Sequence, residues 1–509
     1  MIRKLISILK HKIFIIGILI LVQLLFLVTT IFVLSEYFVI INSLLLGLSL
    51  IVSIYIFNAK DNPSYKLTLI ILIMSVPILG GFLYLLFGGQ KVPKELRIRD
   101  SKAGAEFKEV IHQEEDVLKE FKQVDKSTYK QANYLWKSAG FPLYRNGSST
   151  FYPSGEEKFK ALCDDLRKAQ NYIFLEYFII EPGVMWDSIL AILIEKVKAG
   201  VEVRLLYDDV GCFTTLPNHY DKILKQYGIK VKVFNKIEPK LAIQMNHRDH
   251  RKIAIIDGVI GYMGGINLAD EYINAIEKYG HWKDYAVRLR GSAVWCMTLM
   301  FLQFWNYDEK QKEDILKFQV EYKEQASNGY VQPFSDAPTD EENIGEYTHM
   351  NLIHSATTYL YATTPYLIID HEMKLALMLA AKSGVDVKIL VPHIPDKKPV
   401  FMVTQANYAY LLEAGVKIYE YTPGFIHGKM MVSDDSKAMV GSVNMDYRSY
   451  YLHYECGVCL YNVKEILDMK KEFEEALSQS QEITLEMMRQ IPLWKRFVMA
   501  FLNLFSPLI

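Results

Sequence analysis

The chain has little cysteine, no excess charge of either sign, and no residues spaced like a metal-ligand cluster. Its five cysteines (Cys163, Cys212, Cys296, Cys456, Cys459) are scattered and odd in number. That is not a disulfide framework and suits a reducing compartment. Cys456 and Cys459 spell C-x-x-C. They fall in an apolar, strand-like run with no helix start and no second cysteine pair, so they read as core side chains. Basic and acidic residues nearly cancel, 57 against 58, in a chain of 509 residues. A basic surface for nucleic acid is therefore not indicated. Neither a metal nor a cofactor is expected, and nothing points to a protein partner.

Apolar sequence is abundant at the start. Residues 13–34, 37–57 and 67–87 form three apolar runs. Each has about the twenty residues needed to cross a bilayer core as a helix. The first is too long for a signal-peptide apolar region and lacks a small-residue cleavage site. Transmembrane helices are thus expected over residues 1–90. Arg3, Lys4, Lys10 and Lys12 precede the runs, and Lys91, Lys94, Arg97 and Arg99 follow them. Both charge sets favour the cytoplasm, which three full spans cannot satisfy, so two or three spans stay open. The remaining domain is expected to face the cytoplasm. Residues 91–135, polar and rich in Lys and Glu, read as a solvated helical linker. Residues 491–509 mix Trp494, Lys495, Arg496 and Phe497 with apolar residues, the composition of an interfacial helix.

Between linker and tail the chain repeats itself. A strand entry at 169–180 has a partner at 356–369. A helix follows each, ending at Gly200 and Gly384. Period-two runs come next, Val201-Glu202-Val203-Arg204 and Val385-Asp386-Val387-Lys388. Strands alternating with helices predict an α/β sheet in each half, residues 136–310 and 311–490. Two duplicated α/β halves can pack about a pseudo-twofold axis and pool their residues in one cleft.

Each half then delivers one motif. The first is His250-Arg251-Lys252, Asp257, Gly264-Gly265 and Asn267. The second is His427-Gly428-Lys429, Asp434, Gly441-Ser442 and Asn444. On a strand, the His and Lys of H-x-K project to one side. Two such pairs give two imidazoles and two ammonium groups around one phosphate. One imidazole can attack phosphorus while the other protonates the leaving alcohol and then deprotonates the incoming one. Lys252 and Lys429 neutralise the phosphoryl oxygens, and Asn267 and Asn444 can donate further hydrogen bonds. Asp257 and Asp434 complete the motif at strand ends, where their carboxylates suit backbone or hydroxyl partners. The halves differ: Arg251 stands against Gly428, and Gly265 against Ser442. His250 is taken as the nucleophile.

These paired motifs resemble the phospholipase D superfamily. The flanking stretches Gly264 to Tyr272, Trp282-Lys283-Asp284 and Gly441 to Ser449 are similar to its bacterial cardiolipin synthase branch. The resemblance implies two phospholipase D-like α/β halves, a multi-pass enzyme of the bacterial cell membrane, and phosphatidylglycerol and membrane lipid as partners. The implied reaction moves a phosphatidyl group from one phosphatidylglycerol to another through a phosphohistidine. It also implies that Asp284 orients His250 and that Glu455 orients His427. Other lipid phosphodiester enzymes, such as phosphatidylserine synthase-like or phospholipase D enzymes, and a non-catalytic membrane scaffold remain alternatives.

Overall fold

Alternating apolar side chains become strands in both halves of the chain, and the intervening apolar-striped segments become helices. The computed structural model describes residues 21, 25, 29, 38–75, 92, 94–236, 247–306, 313–322, 328–340 and 342–508. It divides near residue 91 into a small N-terminal unit and a large one.

In the small unit, helix α1 (Phe38–Phe57) precedes α2 (Pro63–Ser75). Pro63 suits a first helical turn, where its missing N–H has no partner to lose. The Asn62 carboxamide accepts the Ser64 amide at 2.9 Å. Ile56, Tyr65, Leu69 and Ile73 are buried together, whereas Val39, Leu44, Ile51 and Phe57 stay exposed. Among the described residues, no helix is long and apolar enough to cross a membrane. The expected transmembrane helices therefore find no support there. Most of run 13–34, and residues 76–87 of the third run, lie outside the described residues.

The large unit opens with α3 (Lys94–Val110), α4 (Glu115–Val124) and α5 (Lys126–Lys137). The sequence suggested a single solvated linker helix; the structure has three packed ones. Phe107, Ile111, Val117, Phe121, Ala132 and Leu135 are buried in the main core. The Asp125 carboxylate caps α5 by accepting the Ser127 and Thr128 amides.

The first half comprises β1 (Tyr144–Arg145), β2 (Ser148–Tyr152), α6 (Gly155–Lys168), β3 (Tyr172–Tyr177), α7 (Val184–Lys198), β4 (Glu202–Asp208), α8 (Tyr220–Gln226), β5 (Lys230–Phe234), β6 (Arg248–Asp249), β7 (Ile253–Ile256), β8 (Ile260–Gly264), β9 (His281–Lys283), β10 (Ala286–Arg290) and α9 (Ala293–Trp305). The second comprises β11 (Tyr330–Asp336), α10 (Ile344–His354), β12 (Tyr359–Thr363), β13 (Leu367–Ile368), α11 (His371–Lys382), β14 (Asp386–Pro392), α12 (Lys398–Ala406), α13 (Tyr408–Glu413), β15 (Lys417–Tyr421), β16 (Gly424–Ile426), β17 (Met430–Ser433), β18 (Lys437–Gly441), β19 (Met445–Asp446), α14 (Tyr447–Tyr451), β20 (His453–Tyr461), α15 (Glu465–Ser478), β21 (Ser480–Ile483), α16 (Leu485–Gln490) and α17 (Leu493–Leu504).

The duplication is explicit in strand order. The first sheet runs β2-β10-β8-β7-β3-β4-β5, and the second contains β11-β20-β18-β17-β12-β14-β15 in the same sequence of parallel and antiparallel pairs. Gly264 pairs with Ala286 in one sheet and Gly441 with Gly457 in the other. That register makes Asp284 the counterpart of Glu455, and Trp282 the counterpart of His453. Helix α9 is apolar on nearly every face and packs against strands of both sheets, β7, β10 and β11. Such a helix belongs in an interior. Cys456 and Cys459 lie fully buried in β20, and all five thiols are unpaired.

Candidate active site

Neither H-x-K lies within a strand. Each is an extended segment leading into one, His250 to Lys252 into β7 and His427 to Lys429 into β17. The residues just before each motif pair with the opposite half. β6 runs parallel to the start of β20, with Arg248 facing His453 and Asp249 facing Tyr454. β16 runs parallel to β9, with Gly424 facing His281 and Ile426 facing Lys283. The motif backbones continue this exchange. The His250 amide donates to Tyr454 O at 2.9 Å, and the His427 amide to Lys283 O at 2.7 Å.

One residue further along each borrowed strand stands a carboxylate. His250 Nδ1 lies 2.9 Å and 3.0 Å from the two oxygens of Glu455. His427 Nδ1 lies 2.6 Å from Asp284 Oδ2. The family resemblance implied the opposite pairing, within each half; the structure crosses them. The reason is the reciprocal strand exchange, which sets each histidine beside the other half's strand. With Nδ1–H donating to a carboxylate, Nε2 keeps the lone pair that attacks or accepts a proton.

The lysines behave alike in both halves. Lys252 Nζ donates to the His250 carbonyl, and Lys429 Nζ to the His427 carbonyl. Lys429 Nζ is also 2.9 Å from His427 Nδ1. The residue between His and Lys differs for packing reasons. Arg251 is buried, donates to Glu176 Oε1 at 2.8 Å, and lies 3.7 Å from the centre of the Phe304 ring. A Cβ at Gly428 would meet Tyr285 Cδ2 at 2.2 Å, so only glycine fits.

Asp257 and Asp434 face away from this chemistry. Asp257 accepts the amides of Gln170, Asn171 and Tyr172 at 2.8, 2.6 and 2.9 Å. Asp434 accepts those of Thr357, Thr358 and Tyr359 at 2.9, 2.8 and 3.1 Å. Each clamps the start of a central strand. These are the backbone partners that the sequence suggests for the two motif aspartates, which sets them apart from the His and Lys of each motif. Asn267 is similarly engaged, accepting the Ile179 amide at 3.0 Å and donating to the Tyr272 hydroxyl at 2.7 Å. Asn444 Oδ1 is buried without a hydrogen-bond partner.

Residues 162–277 and 350–477 match the family model described as cardiolipin synthase, PLD-like domain, and residues 47–89 match phospholipase D-nuclease N-terminal. A cardiolipin synthase of Oceanobacillus iheyensis is 34% identical over 92% of this chain and 100% of its own. One from Alkalihalophilus pseudofirmus is 33% identical over 92% of this chain and 93% of its own. The chain belongs to the cardiolipin synthase family. A solved phosphatidylserine synthase of Haemophilus influenzae shares the fold at a TM-score of 0.57 and 15% identity, over 75% of this chain and 98% of that one.

Electrostatics tie the two motifs of this family member into one site. Burial, then Lys252, Lys429 and His427, hold the His250 imidazole well below its ordinary pKa. Burial and Lys429 push His427 down to about 4, with a contribution from Lys252. Each histidine thus feels the other half's lysine. Burial lowers Lys252 to about 8 and Lys429 to about 7. Burial opposes ionisation of Asp284, yet Lys429 and His427 hold its pKa below the usual value. A bound phosphate diester would counter these cations and raise the imidazoles and ammonium groups together.

Several neighbours were given no role by sequence reasoning. Ser442 and Ser449 both donate to the Glu455 carboxylate. His453 packs on His250 with ring centroids 5.3 Å apart, and Trp282 on His427 at the same separation. Phe178 lies 5.0 Å from His250 by ring centroid. The available signal was positional: His453 precedes Glu455 by two residues, as Trp282 precedes Asp284.

Proposed function

We propose that this enzyme is a cardiolipin synthase that transfers a phosphatidyl group between two phosphatidylglycerol molecules and releases glycerol. The observation that carries the reading is the crossed pair of His–carboxylate contacts beside Lys252 and Lys429. Nε2 of one imidazole attacks phosphorus, and the bond to the glycerol oxygen breaks as the second imidazole gives that oxygen its proton. The second imidazole then takes the proton of the incoming hydroxyl, whose oxygen displaces the histidine. One diester bond replaces another, so no nucleotide is required. His250 is assigned as nucleophile and His427 as acid and then base. Lys252 and Lys429 balance the charge gathered on the phosphoryl oxygens.

The reading extends to the membrane. The three N-terminal apolar runs are proposed to insert in the bilayer of a bacterial cell, with the catalytic domain facing the cytoplasm. The unpaired thiols favour that side. Separately, α17 exposes Leu493, Trp494, Phe497 and Phe501 along one side, and Lys495 and Arg496 accompany them. Such a helix suits the headgroup boundary.

Purified protein incubated with labelled phosphatidylglycerol alone is expected to yield labelled cardiolipin and free glycerol. Product that forms only when a CDP-linked lipid is supplied would overturn the reading.

A further inference from the structure

The pseudo-symmetric position beside each motif histidine is filled differently in the two halves. Trp282 occupies it against His427, and His453 occupies it against His250. Packing alone is satisfied by an indole, so the imidazole in the second half brings something extra: a ring nitrogen whose lone pair can bind a ligand. His453 is only 8% exposed, and its Nδ1 has no hydrogen-bond partner. That atom lies 3.6 Å from Glu455 Oε1, beyond hydrogen-bond range. His250 Nδ1 reaches the same carboxylate at 2.9 Å. One ligand atom from each of His250, His453 and Glu455 lies within 4.8 Å of the others, and all three residues are buried.

We propose that His250, His453 and Glu455 form a site for one divalent transition-metal ion, and that filling it switches the enzyme off. Two imidazoles and a carboxylate suit zinc and its neighbours rather than magnesium or calcium. Zinc–nitrogen bonds of about 2.0 Å place tetrahedral ligand atoms roughly 3.3 Å apart, within the 2.9 to 3.6 Å seen around Glu455. Ser442 and Ser449 hold the carboxylate in place, as supporting partners do at metal sites. The His427 side offers His427 and Asp284, but its third position is an indole, which has no lone pair to give.

The ion would act on the tautomer. In the metal-free site the His250 proton sits on Nδ1, facing Glu455, and Nε2 is free to attack. A metal takes the Nδ1 lone pair, so the proton must move to Nε2. The imidazole stays neutral, but its nucleophilic lone pair is gone. The sequence concealed this site because His250 lies 205 residues from Glu455, and the neighbouring His453 and Glu455 do not announce a metal by themselves.

Metal binding tests the site independently of the proposed lipid reaction, on which only the inhibition rests. Full-length, chelator-stripped protein in detergent micelles is titrated with Zn²⁺ by calorimetry. One ion per chain is expected. His453→Phe should weaken binding by more than about tenfold, since loss of even a supporting partner of a ligand costs 10–100-fold. His453→Gln serves as a second variant should the phenyl ring disturb folding. His427→Ala should still bind Zn²⁺. In the lipid assay, Zn²⁺ should inhibit wild type reversibly with EDTA, and the inhibition midpoint should rise by the same factor in the His453 variants. Unchanged affinity in both His453 variants, or no stoichiometric binding, would overturn the site. Tight binding at the site without inhibition would overturn the switch. Absence of lipid transfer in the metal-free enzyme would count against the proposed function and leave the calorimetric result standing.

Discussion

His427 Nδ1 lies 2.6 Å from Asp284 Oδ2, across 143 residues of chain and from one duplicated half to the other. The reciprocal contact joins His250 to Glu455, 205 residues away. Neither half therefore contains the carboxylate partner of its own motif histidine. The two sheets must dock before either imidazole has its orienting partner, which makes the catalytic unit the whole duplicated domain.

Breaking either contact should disable the histidine in the opposite half. Asp284→Asn and Glu455→Gln keep volume but remove the charge that fixes the Nδ1–H tautomer. Each is expected to lower turnover by about 10³–10⁴-fold, the scale of losing an orienting carboxylate in a Ser-His-Asp triad. His250→Ala, His427→Ala, Lys252→Ala and Lys429→Ala should each leave turnover near background. Steady-state kinetics with phosphatidylglycerol checks this. Near-wild-type turnover in Asp284→Asn would show that the contact is incidental to catalysis.

The repeat was legible in the sequence because period-two runs and helix spacing are local, and β3 and β4, like β12 and β14, form where they predict. The carboxylate partners were not, because they depend on β6 pairing with β20 and β16 with β9, contacts between halves that no local pattern encodes. Helices α4 and α5 were hidden by their Lys-rich polar content, which masked the buried spacing of Val117 with Phe121 and Ala132 with Leu135. The exchange of Arg251 for Gly428 was visible, but its cause was not. It needed Glu176 on one side and the Tyr285 ring on the other.

The lysine pKa values predict an unusual alkaline limb. Burial lowers Lys429 to about 7 and Lys252 to about 8 in the free enzyme. As pH rises through 7 to 8 these ammonium groups lose their protons, and with them the attraction for the phosphate. The second-order rate kcat/KM should fall across that window. The limb in kcat should lie at higher pH, because the bound phosphate raises both values. Anion binding should therefore take up protons near pH 7.5. Calorimetry of inorganic phosphate binding in buffers of different ionisation enthalpy measures that uptake. An alkaline limb only above pH 9.5 would contradict the lowered lysines.

Asp257 and Asp434 should report on stability rather than chemistry. Each carboxylate accepts three backbone amides, and each residue has a left-handed backbone, with φ of 52° and 54°. Alanine removes the acceptor and disfavours that conformation. Asp257→Ala and Asp434→Ala are each expected to cost about 1–3 kcal/mol. Asparagine tolerates positive φ and keeps one acceptor, so it should cost less. Thermal unfolding gives the order. Turnover per folded molecule should stay within a few fold of wild type, and a collapse of turnover with unchanged melting would place these residues in the chemistry after all.

The glycine–serine difference behind the carboxylates gives an asymmetric pair of variants. A Cβ on Gly265 would sit 2.2 Å from Asp284 Oδ1. That oxygen already accepts the Tyr285 amide at 2.8 Å, so it has little freedom to retreat. Gly265→Ala should push the carboxylate away from His427 and cost nearly as much turnover as Asp284→Asn. At the equivalent place, Ser442 carries a side chain because Glu455 is positioned to use it: the hydroxyl donates to Oε2 while Ser449 donates to Oε1. Ser442→Ala keeps the Cβ and removes one of the two serine hydrogen bonds to the carboxylate. A hydrogen bond to a charged group contributes about 1.5–3 kcal/mol, which corresponds to roughly 10–100-fold in turnover. The glycine variant should therefore be the more damaging, although it adds only a methyl group. Turnover measured on protein with normal melting behaviour decides the order, and wild-type activity in Gly265→Ala would mean that Asp284 need not stand where the structure has it.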